Sequence, residues 1–362
     1  MAISPDVLAT ALNELMPSYS ELFVKFHPLM EKVMLNGNLS RDALKGPKRE
    51  FAVVTDGPGT VTQVSTGTEI IAGGRSQNAH RGNVIAPRLI YAFDVPGKDL
   101  AEANGEMDLA RILQHYPELA LSDFHERISN QLGTGNGNGV GGFATLNGTT
   151  AAASFTPQGE TRRGFLQADT VANQAASAIN IHGLQQNQVS GWHNQYEDIS
   201  SFAVNGRSQM RKAYFAASRQ GKTMGPVDLM IGDEASYLNY IDDLDDQVRV
   251  VKVEGDKAPP LVRQGVKFLE ADFYLDDSID VSQTTLFNAA AQDGIIYGLK
   301  TPTWHLFTLG HDAGRETKGD FALRGPFRIP DQDIFRYELV LMMGLHTTQL
   351  RANFVVTGAG TP

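Results

Sequence analysis

The sequence Pro117-Glu-Leu-Ala-Leu-Ser-Asp-Phe-His-Glu-Arg-Ile-Ser-Asn-Gln-Leu132 is followed by Gly133-Thr-Gly-Asn-Gly-Asn-Gly-Val-Gly-Gly142. Large apolar residues recur in the first part at intervals of three, four and four: Leu121, Phe124, Ile128 and Leu132. This spacing predicts one helix with a single apolar face. Pro117 suits the first turn of that helix, and Gly133 suits its end. The tract after Leu132 holds six glycines in ten residues, so we expect a flexible segment there.

The segment before this helix changes to strand periodicity. Apolar and other residues alternate from Arg88 to Val95, which predicts a half-buried strand. We also expect a strand at Phe51–Thr55 that turns at 56–59 into a second strand at Thr60–Val64. Residues 65–87 are polar and predict a loop. Because an isolated two-stranded excursion is marginal in water, it needs a partner surface.

The segment after the glycine tract alternates helix and strand patterns and predicts an α/β lobe. One helix begins at Asn205 or Gly206 and ends at Gly221, with an apolar face of Met210, Ala213, Tyr214 and Ala217. A second follows the capping residue Asp233, with Tyr237, Leu238, Ile241 and Leu244. We expect strands at Val227–Ile231, Val248–Val253, within 261–274, at 295–299 and 303–309 as a pair, over Phe335–Leu345, and at Asn353–Thr357.

The N-terminal segment predicts apolar-faced helices over 4–15 and over 19–33, and the second ends at Asn36-Gly37. No apolar mate for these helices lies within the next 50 residues. They must therefore pack on a distant lobe or on another subunit. Trp192 and Trp304 are expected to be core or interface anchors.

Composition excludes several classes of protein. The chain has 362 residues, 41% of them apolar, which is enough for a real core, and a net charge of −10 argues against a protein that grips nucleic acid. The absence of cysteine excludes disulfides, thiolate catalysis and cysteine–zinc sites. The N-terminus has no secretory pattern, and the longest strongly apolar run, Leu339–Leu345, is too short to span a membrane. We expect a soluble protein that is made in the cytoplasm and has no membrane partner.

No motif predicts an active site. Gly137-x-Gly139-x-x-Gly142 matches the dinucleotide fingerprint but follows a helix instead of a strand. Gly221-Lys-Thr223 is more simply a helix end. Two acidic clusters, at 242–246 and 276–280, lack calcium-loop spacing and are expected to be solvated, although a weak divalent-ion site between subunits remains open. The prediction is therefore no catalytic, cofactor-binding or metal residue, and a surplus of interaction surface.

Six segments, in this order, resemble parts of the major capsid proteins of tailed bacteriophages, which have the Hong Kong 97-type fold. They are Tyr91-Ala-Phe-Asp-Val-Pro-Gly-Lys-Asp-Leu100, Leu119–Leu132, Ile181-His-Gly-Leu184, Gly191-Trp-His-Asn194, Gly225–Tyr237 and Asn353-Phe-Val-Val-Thr-Gly358. The resemblance spans nearly all of the chain and implies an α+β fold. Its implied parts are an N-terminal arm (1–46), an extended β-hairpin loop (47–97), a peripheral domain with a spine helix (98–165), an axial α/β domain (166–324), a long peripheral strand (325–348) and a return to the axial domain (349–362).

The resemblance implies a non-enzymatic structural subunit that self-assembles, through pentamers and hexamers, into an icosahedral virion capsid around a double-stranded DNA genome. Further implied partners are a scaffolding protein, a portal and a decoration or cement protein, with DNA enclosed but not sequence-specifically bound. No lysine lies between Lys48 and Lys98, so we expect no isopeptide cross-link from the loop. Five charged residues are candidates for contacts between subunits: Arg75, Arg81, Arg88, Glu126 and Arg127. An encapsulin-like compartment shell and a nucleotide-dependent enzyme are the alternatives.

Overall fold

The structure is a computed structural model that describes residues 27–41, 49–55, 79–84, 86–98, 106–134, 165–176, 180–221, 225–245, 266–276, 278–279, 294–308, 311–312, 315–316, 320–330 and 332–360. Its helices are α1 (Pro28–Leu35), α2 (Glu106–Thr134), α3 (Val171–Ala176), α4 (Arg207–Gln220) and α5 (Glu234–Asp245). Its strands are β1 (Leu39–Ser40), β2 (Arg49–Val54), β3 (Ala79–Val84), β4 (Arg88–Pro96), β5 (Asn180–Ile181), β6 (Leu184–Gln185), β7 (Gln195–Asp198), β8 (Leu229–Gly232), β9 (Val266–Phe268), β10 (Ala271–Leu275), β11 (Ile295–Leu299), β12 (Trp304–Thr308), β13 (His311–Asp312), β14 (Arg315–Glu316), β15 (Phe321–Arg328), β16 (Ile334–Thr347) and β17 (Phe354–Thr357).

The long strand β16 organises a five-stranded sheet. Its first part pairs with β15 and with β4, and its last part pairs with β12, which continues to β1. The alternation predicted for Arg88–Val95 is confirmed, because Phe93 and Val95 are buried while Arg88 and Asp94 are exposed. The partner of that strand lies about 240 residues later in the chain, with Phe93 opposite Tyr337.

Helix α2 covers this sheet. The four predicted apolar positions are all buried, together with Ala120. Phe124 lies between Tyr91 and Phe321, at ring-centroid distances of 6.2 and 5.7 Å. The expected start at Pro117 is wrong, because the helix begins at Glu106 and runs through the proline to Thr134. The residues before the proline also follow a helical spacing, and the last of them, Tyr116, stacks on Phe93 at a ring-centroid distance of 5.1 Å. This packing outweighs the loss of the one backbone hydrogen bond that proline removes.

Strands β2 and β3 form a separate antiparallel ribbon. The strand partner expected for Phe51, at Thr60–Val64, lies outside the described residues, and the observed partner is β3, which the polar sequence predicted as loop. Phe51 lies opposite Gly82, where a Cβ atom would approach its ring to 2.7 Å. A polar strand is stable here because only one face of the ribbon contacts the body of the protein.

A six-stranded mixed sheet, in the order β7-β17-β11-β8-β10-β9, forms the second layer. Alternate residues face opposite sides: Met230 and Ile296 pack under α4 and α5, while Leu229 and Ile231 face the core shared with the first sheet. The apolar face predicted for α4 is confirmed. On α5, however, Leu238 is 50% exposed, and Tyr240 takes a buried place against Phe268 and Phe273. The predicted strand at Val248–Val253 lies outside the described residues.

Two short connections join the sheets. The 3₁₀ turn Thr301–Thr303 links β11 to β12, and the 3₁₀ turn Leu350–Ala352 links β16 to β17. Both strands expected at 295–299 and 303–309 are present, as β11 and β12, but the expectation of one sheet is wrong, because they belong to different sheets. The backbone N–H of Thr348 donates to the Thr303 carbonyl at 2.9 Å, which ties one connection to the other.

Helix α1 packs beside β12 and the Thr301–Thr303 turn of its own chain, so the distant mate expected for this helix lies within the same chain. Its apolar residues Leu29, Met30 and Val33 are buried. Lys32 binds Asp272 at 2.7 Å, and His27 binds Asp276 at 3.1 Å. The Asp276 side chain is only 9% exposed, contrary to the solvated cluster expected at 276–280, and His27 supplies a partner for its carboxylate. The helix expected over 4–15 lies outside the described residues.

Candidate inter-subunit surface

The outer face of α2 is polar and continuous. Opposite the buried residues, the helix exposes Glu118, Leu119, Ser122, Asp123, Glu126, Arg127 and Asn130. Two of the predicted contact residues, Glu126 and Arg127, lie on this face. Leu119 is 44% exposed. It does not belong to the apolar spacing of the helix, so the sequence already indicated that it lies off the buried face. The face combines carboxylates, one guanidinium and one apolar side chain.

The ribbon carries a second charged surface. Arg81 on β3 pairs with Glu50 on β2 at 3.1 Å, with side chains 77% and 58% exposed. Such an exposed pair contributes only about 0–1 kcal/mol to folding. Because both side chains are more than half exposed, they remain accessible to charged groups of another molecule. Arg75 lies outside the described residues.

The outer side of β4 is a third exposed surface. Arg88, Ile90, Ala92 and Asp94 are exposed in succession at every second position, and Ile90 is 49% exposed. The guanidinium of Arg336 on β16 donates two hydrogen bonds to Asp94, at 2.8 and 2.9 Å. These bonds hold the pKa of the Asp94 carboxyl below its usual value. The structure thus places the described candidate residues on α2, β3 and β4 and does not bring them into one cluster.

The foot of the ribbon rests on histidines. The ring of Phe51 lies 4.1 Å from that of His346 and 5.4 Å from that of His182, and the His346 ring stacks on His305 at 5.2 Å. We call His182, His305 and His346 the histidine foot. No sequence pattern reveals the histidine foot, because its members lie far apart in the chain, and only the register of β12 with β16 makes His305 and His346 neighbours.

No chemistry converges on these surfaces within the described ranges. No group of three His, Asp or Glu side chains there is arranged to hold a metal ion. None of the helices in that part of the chain is both long enough and apolar enough to cross a membrane. What the described structure offers is extended, charged, exposed surface on α2, the ribbon and β4.

No protein-family model matches the sequence, and no curated protein matches it. Solved structures do match. The chain superposes over 90% of its length on 92% of a chain in the capsid asymmetric unit of cyanophage A-1(L), with a TM-score of 0.52 and 12% identity. The chain has the fold of a phage capsid protein. Two further similar structures have lower TM-scores: the capsid of a native GTA particle (0.48, 10% identity, 90% of each chain) and an encapsulin from Synechococcus elongatus (0.49, 9% identity, 90% of this chain and 87% of that one).

Proposed function

We propose that this protein is the major capsid protein of a tailed bacteriophage, a subunit that self-assembles through pentamers and hexamers into an icosahedral shell around double-stranded DNA. The observation that carries the proposal is the match of 90% of the chain to 92% of a cyanophage capsid chain. The protein is accordingly a structural, non-enzymatic component of the virion, made in the host cytoplasm.

The exposed surfaces support this role. A subunit needs adhesive faces that its own fold leaves uncovered, and α2, the ribbon and β4 each present charged groups beside an exposed apolar or small side chain. Single surface ion pairs are weak, so buried apolar area, at ~25 cal/mol per Å², must supply most of the binding energy between subunits. Arg81, Arg88, Glu126 and Arg127 then set orientation, and Arg75 belongs to the same loop.

In this proposal each part of the chain has its own role. The arm (1–46) and the extended loop (47–97) contact neighbouring subunits. Residues 98–165 and 325–348 form the peripheral domain, and residues 166–324 and 349–362 form the axial domain. A scaffolding protein, a portal and a decoration protein are the further partners. DNA is enclosed and not bound sequence-specifically, because a net charge of −10 does not favour tight binding of phosphate.

Electron microscopy of the purified full chain tests the proposal. We expect shells, tubes or capsomers in negative stain, and a mass far above one subunit by light scattering. A monomer or dimer at all concentrations, with and without a co-expressed scaffolding protein, would refute it. Nucleic acid inside native particles would separate a phage shell from an encapsulin-like compartment, which encloses enzymes.

A further inference from the structure

We propose that the histidine foot is an acid-responsive hinge: below neutral pH, His305 and His346 take up protons and the β2–β3 ribbon swings away from the body of the subunit. This goes beyond the shell-forming role, because it concerns a movement within one chain. It holds whether or not the protein assembles.

The ribbon contacts the body of the protein at its foot, and it also buries the side chains of Val53 and Val84. Phe51 on β2 packs against His346 and His182, and the backbone N–H of Asn83 on β3 donates to the His182 carbonyl at 2.7 Å. The turn that carries His182 is tight, with His182 at φ +56° and Gly183 at φ +78°. A Cβ atom on Gly183 would lie 2.3 Å from the Asn83 amide, so ribbon and turn are in close contact.

The surroundings of the histidine under Phe51 do not stabilise a positive charge on its ring. His346 is 3% exposed, and its Nδ1 atom is buried without a hydrogen-bond partner. A second buried polar atom without a partner, Asn83 Oδ1, lies on the ribbon side of the same foot. Burial, with His305 and Arg49 nearby, lowers the pKa of His346 to about 3. A protonated ring would gain solvation only if the ribbon moved away.

The groups that face His346 from the neighbouring elements add no compensating negative charge. From β12 come His305 and Phe307, with the His346 ring 5.2 and 6.2 Å away. From β2 come Phe51 and Arg49, whose guanidinium lies 5.1 Å above the Phe307 ring. From the β5–β6 turn comes His182, whose Nε2 accepts the Thr347 N–H at 3.3 Å. The titratable and charged groups recorded around His346 in the described structure are thus all basic.

The direction of the pH effect follows from linkage. A histidine whose pKa is lowered in the docked form binds protons better when the ribbon is detached, so docking weakens as pH falls below the ordinary value of about 6.5. For each buried histidine, every pH unit below the ordinary pKa shifts the equilibrium between docked and detached ribbon by up to about tenfold. The shift stops growing once the pH falls below the lowered pKa of the docked form. Burial and Arg49 also lower the pKa of His305, so it acts in the same direction.

Spin labels can measure the movement because the chain has no cysteine. Ala52→Cys on the exposed side of β2 and Ser122→Cys on the outer face of α2 would carry a label pair in the full chain, diluted with unlabelled protein. We expect a narrow distance distribution at pH 7.5 by double electron–electron resonance. At pH 5 we expect a broader distance distribution with a shifted maximum. This change should correspond to at least a tenfold change in the ratio of docked to detached ribbon.

Two substitutions assign the effect. His346→Phe keeps an aromatic ring under Phe51 but cannot titrate, and the acid response should shrink at least fivefold. His305→Phe, at a half-buried site, is the second variant if the first does not fold, and it should shift the midpoint of the acid response to lower pH. His80→Gln, on the ribbon but outside the foot, is the control and should respond like the parent. An unchanged distribution at pH 5, or a full response in the His305→Phe variant and any folded His346→Phe variant, would overturn the proposal while leaving shell formation untouched.

Discussion

Asn353 and Trp304 join the two sheets through a fully buried hydrogen bond: the Trp304 indole Nε1–H donates to Asn353 Oδ1 at 2.9 Å. The same oxygen accepts the backbone N–H of Lys300 at 2.8 Å, and the amide nitrogen of Asn353 donates to the Gln349 carbonyl at 2.8 Å. One side chain therefore contacts both 3₁₀ connections. Its amide satisfies donors and an acceptor that the fold would otherwise bury unpaired.

Replacing this side chain by an apolar one of similar size should destabilise the protein strongly. Asn353→Leu leaves the Trp304 and Lys300 N–H groups without an acceptor, and each costs about 1–3 kcal/mol. We expect a loss of about 2–5 kcal/mol in the free energy of unfolding by urea titration. Asn130→Leu, on the exposed face of α2, is the control and should change it by about 0.5 kcal/mol or less. Equal losses in the two variants would contradict the role of Asn353.

The contact of α2 with its sheet depends on Phe124. Phe124→Ala removes a ring that packs between Tyr91 and Phe321, and a cavity of that kind costs about 3–5 kcal/mol. We expect a large fall in melting temperature, measured by circular dichroism. Leu119→Ala on the outer face of the same helix should change the melting temperature little. A small effect of Phe124→Ala would mean that the helix is held elsewhere.

The arm contact should lose stability in acid. Burial raises the pKa of the Asp276 carboxyl, but hydrogen bonds and charge from His27, with Ser278, outweigh it, and the net pKa is lowered. A carboxyl group whose pKa is lowered in the folded protein stabilises the fold at pH values above its pKa in the unfolded chain, which is about 3.9. This contribution disappears as the pH falls through the pKa that the group has in the folded protein.

Asp276→Asn should therefore lower the urea midpoint at pH 7, and the difference from the parent should narrow below about pH 4. Asp94→Asn is the matched control, since Asp94 also has a lowered pKa but is exposed, and it should have a smaller effect at pH 7. A difference that stays constant from pH 7 to pH 3 would exclude ionisation of Asp276 as its cause.

If the protein forms shells, charge reversal at Arg81 separates folding from assembly. Arg81→Glu should reduce particle yield, measured by sedimentation, because it reverses a charge on the exposed ribbon. The double variant Glu50→Arg with Arg81→Glu restores the ion pair within the chain. We expect no recovery of yield in that double variant if Arg81 acts on a neighbouring subunit. Full recovery would show that only the pair within the ribbon matters.

Purified particles should dissociate completely in denaturant. No lysine lies between residues 49 and 97, so the loop has no side-chain amine for an isopeptide bond. A denaturing gel of mature particles should show one band at the mass of the single subunit. A ladder of linked subunits would refute this prediction.

Local periodicity predicted the elements that bury one face on their own chain. The spacing of Leu121, Phe124, Ile128 and Leu132 predicted the buried face of α2, and Met210, Ala213, Tyr214 and Ala217 that of α4. Pairings at long range could not be predicted this way. The ribbon partner of Phe51 is a polar strand, and β11 and β12 look like one pair in sequence but diverge into two sheets. The histidine foot exists only through such pairings.

The paired connections have a mechanical consequence. Because Asn353 and Thr348 tie one three-residue turn to the other, neither sheet can rotate on a single pivot without breaking buried bonds. The strand β16, about 48 Å long at 3.4 Å per residue, stiffens the same unit lengthwise. In a closed container whose copies occupy unequal environments, we therefore expect curvature to be adjusted by the attached ribbon and arm, while the two-sheet body keeps one shape throughout.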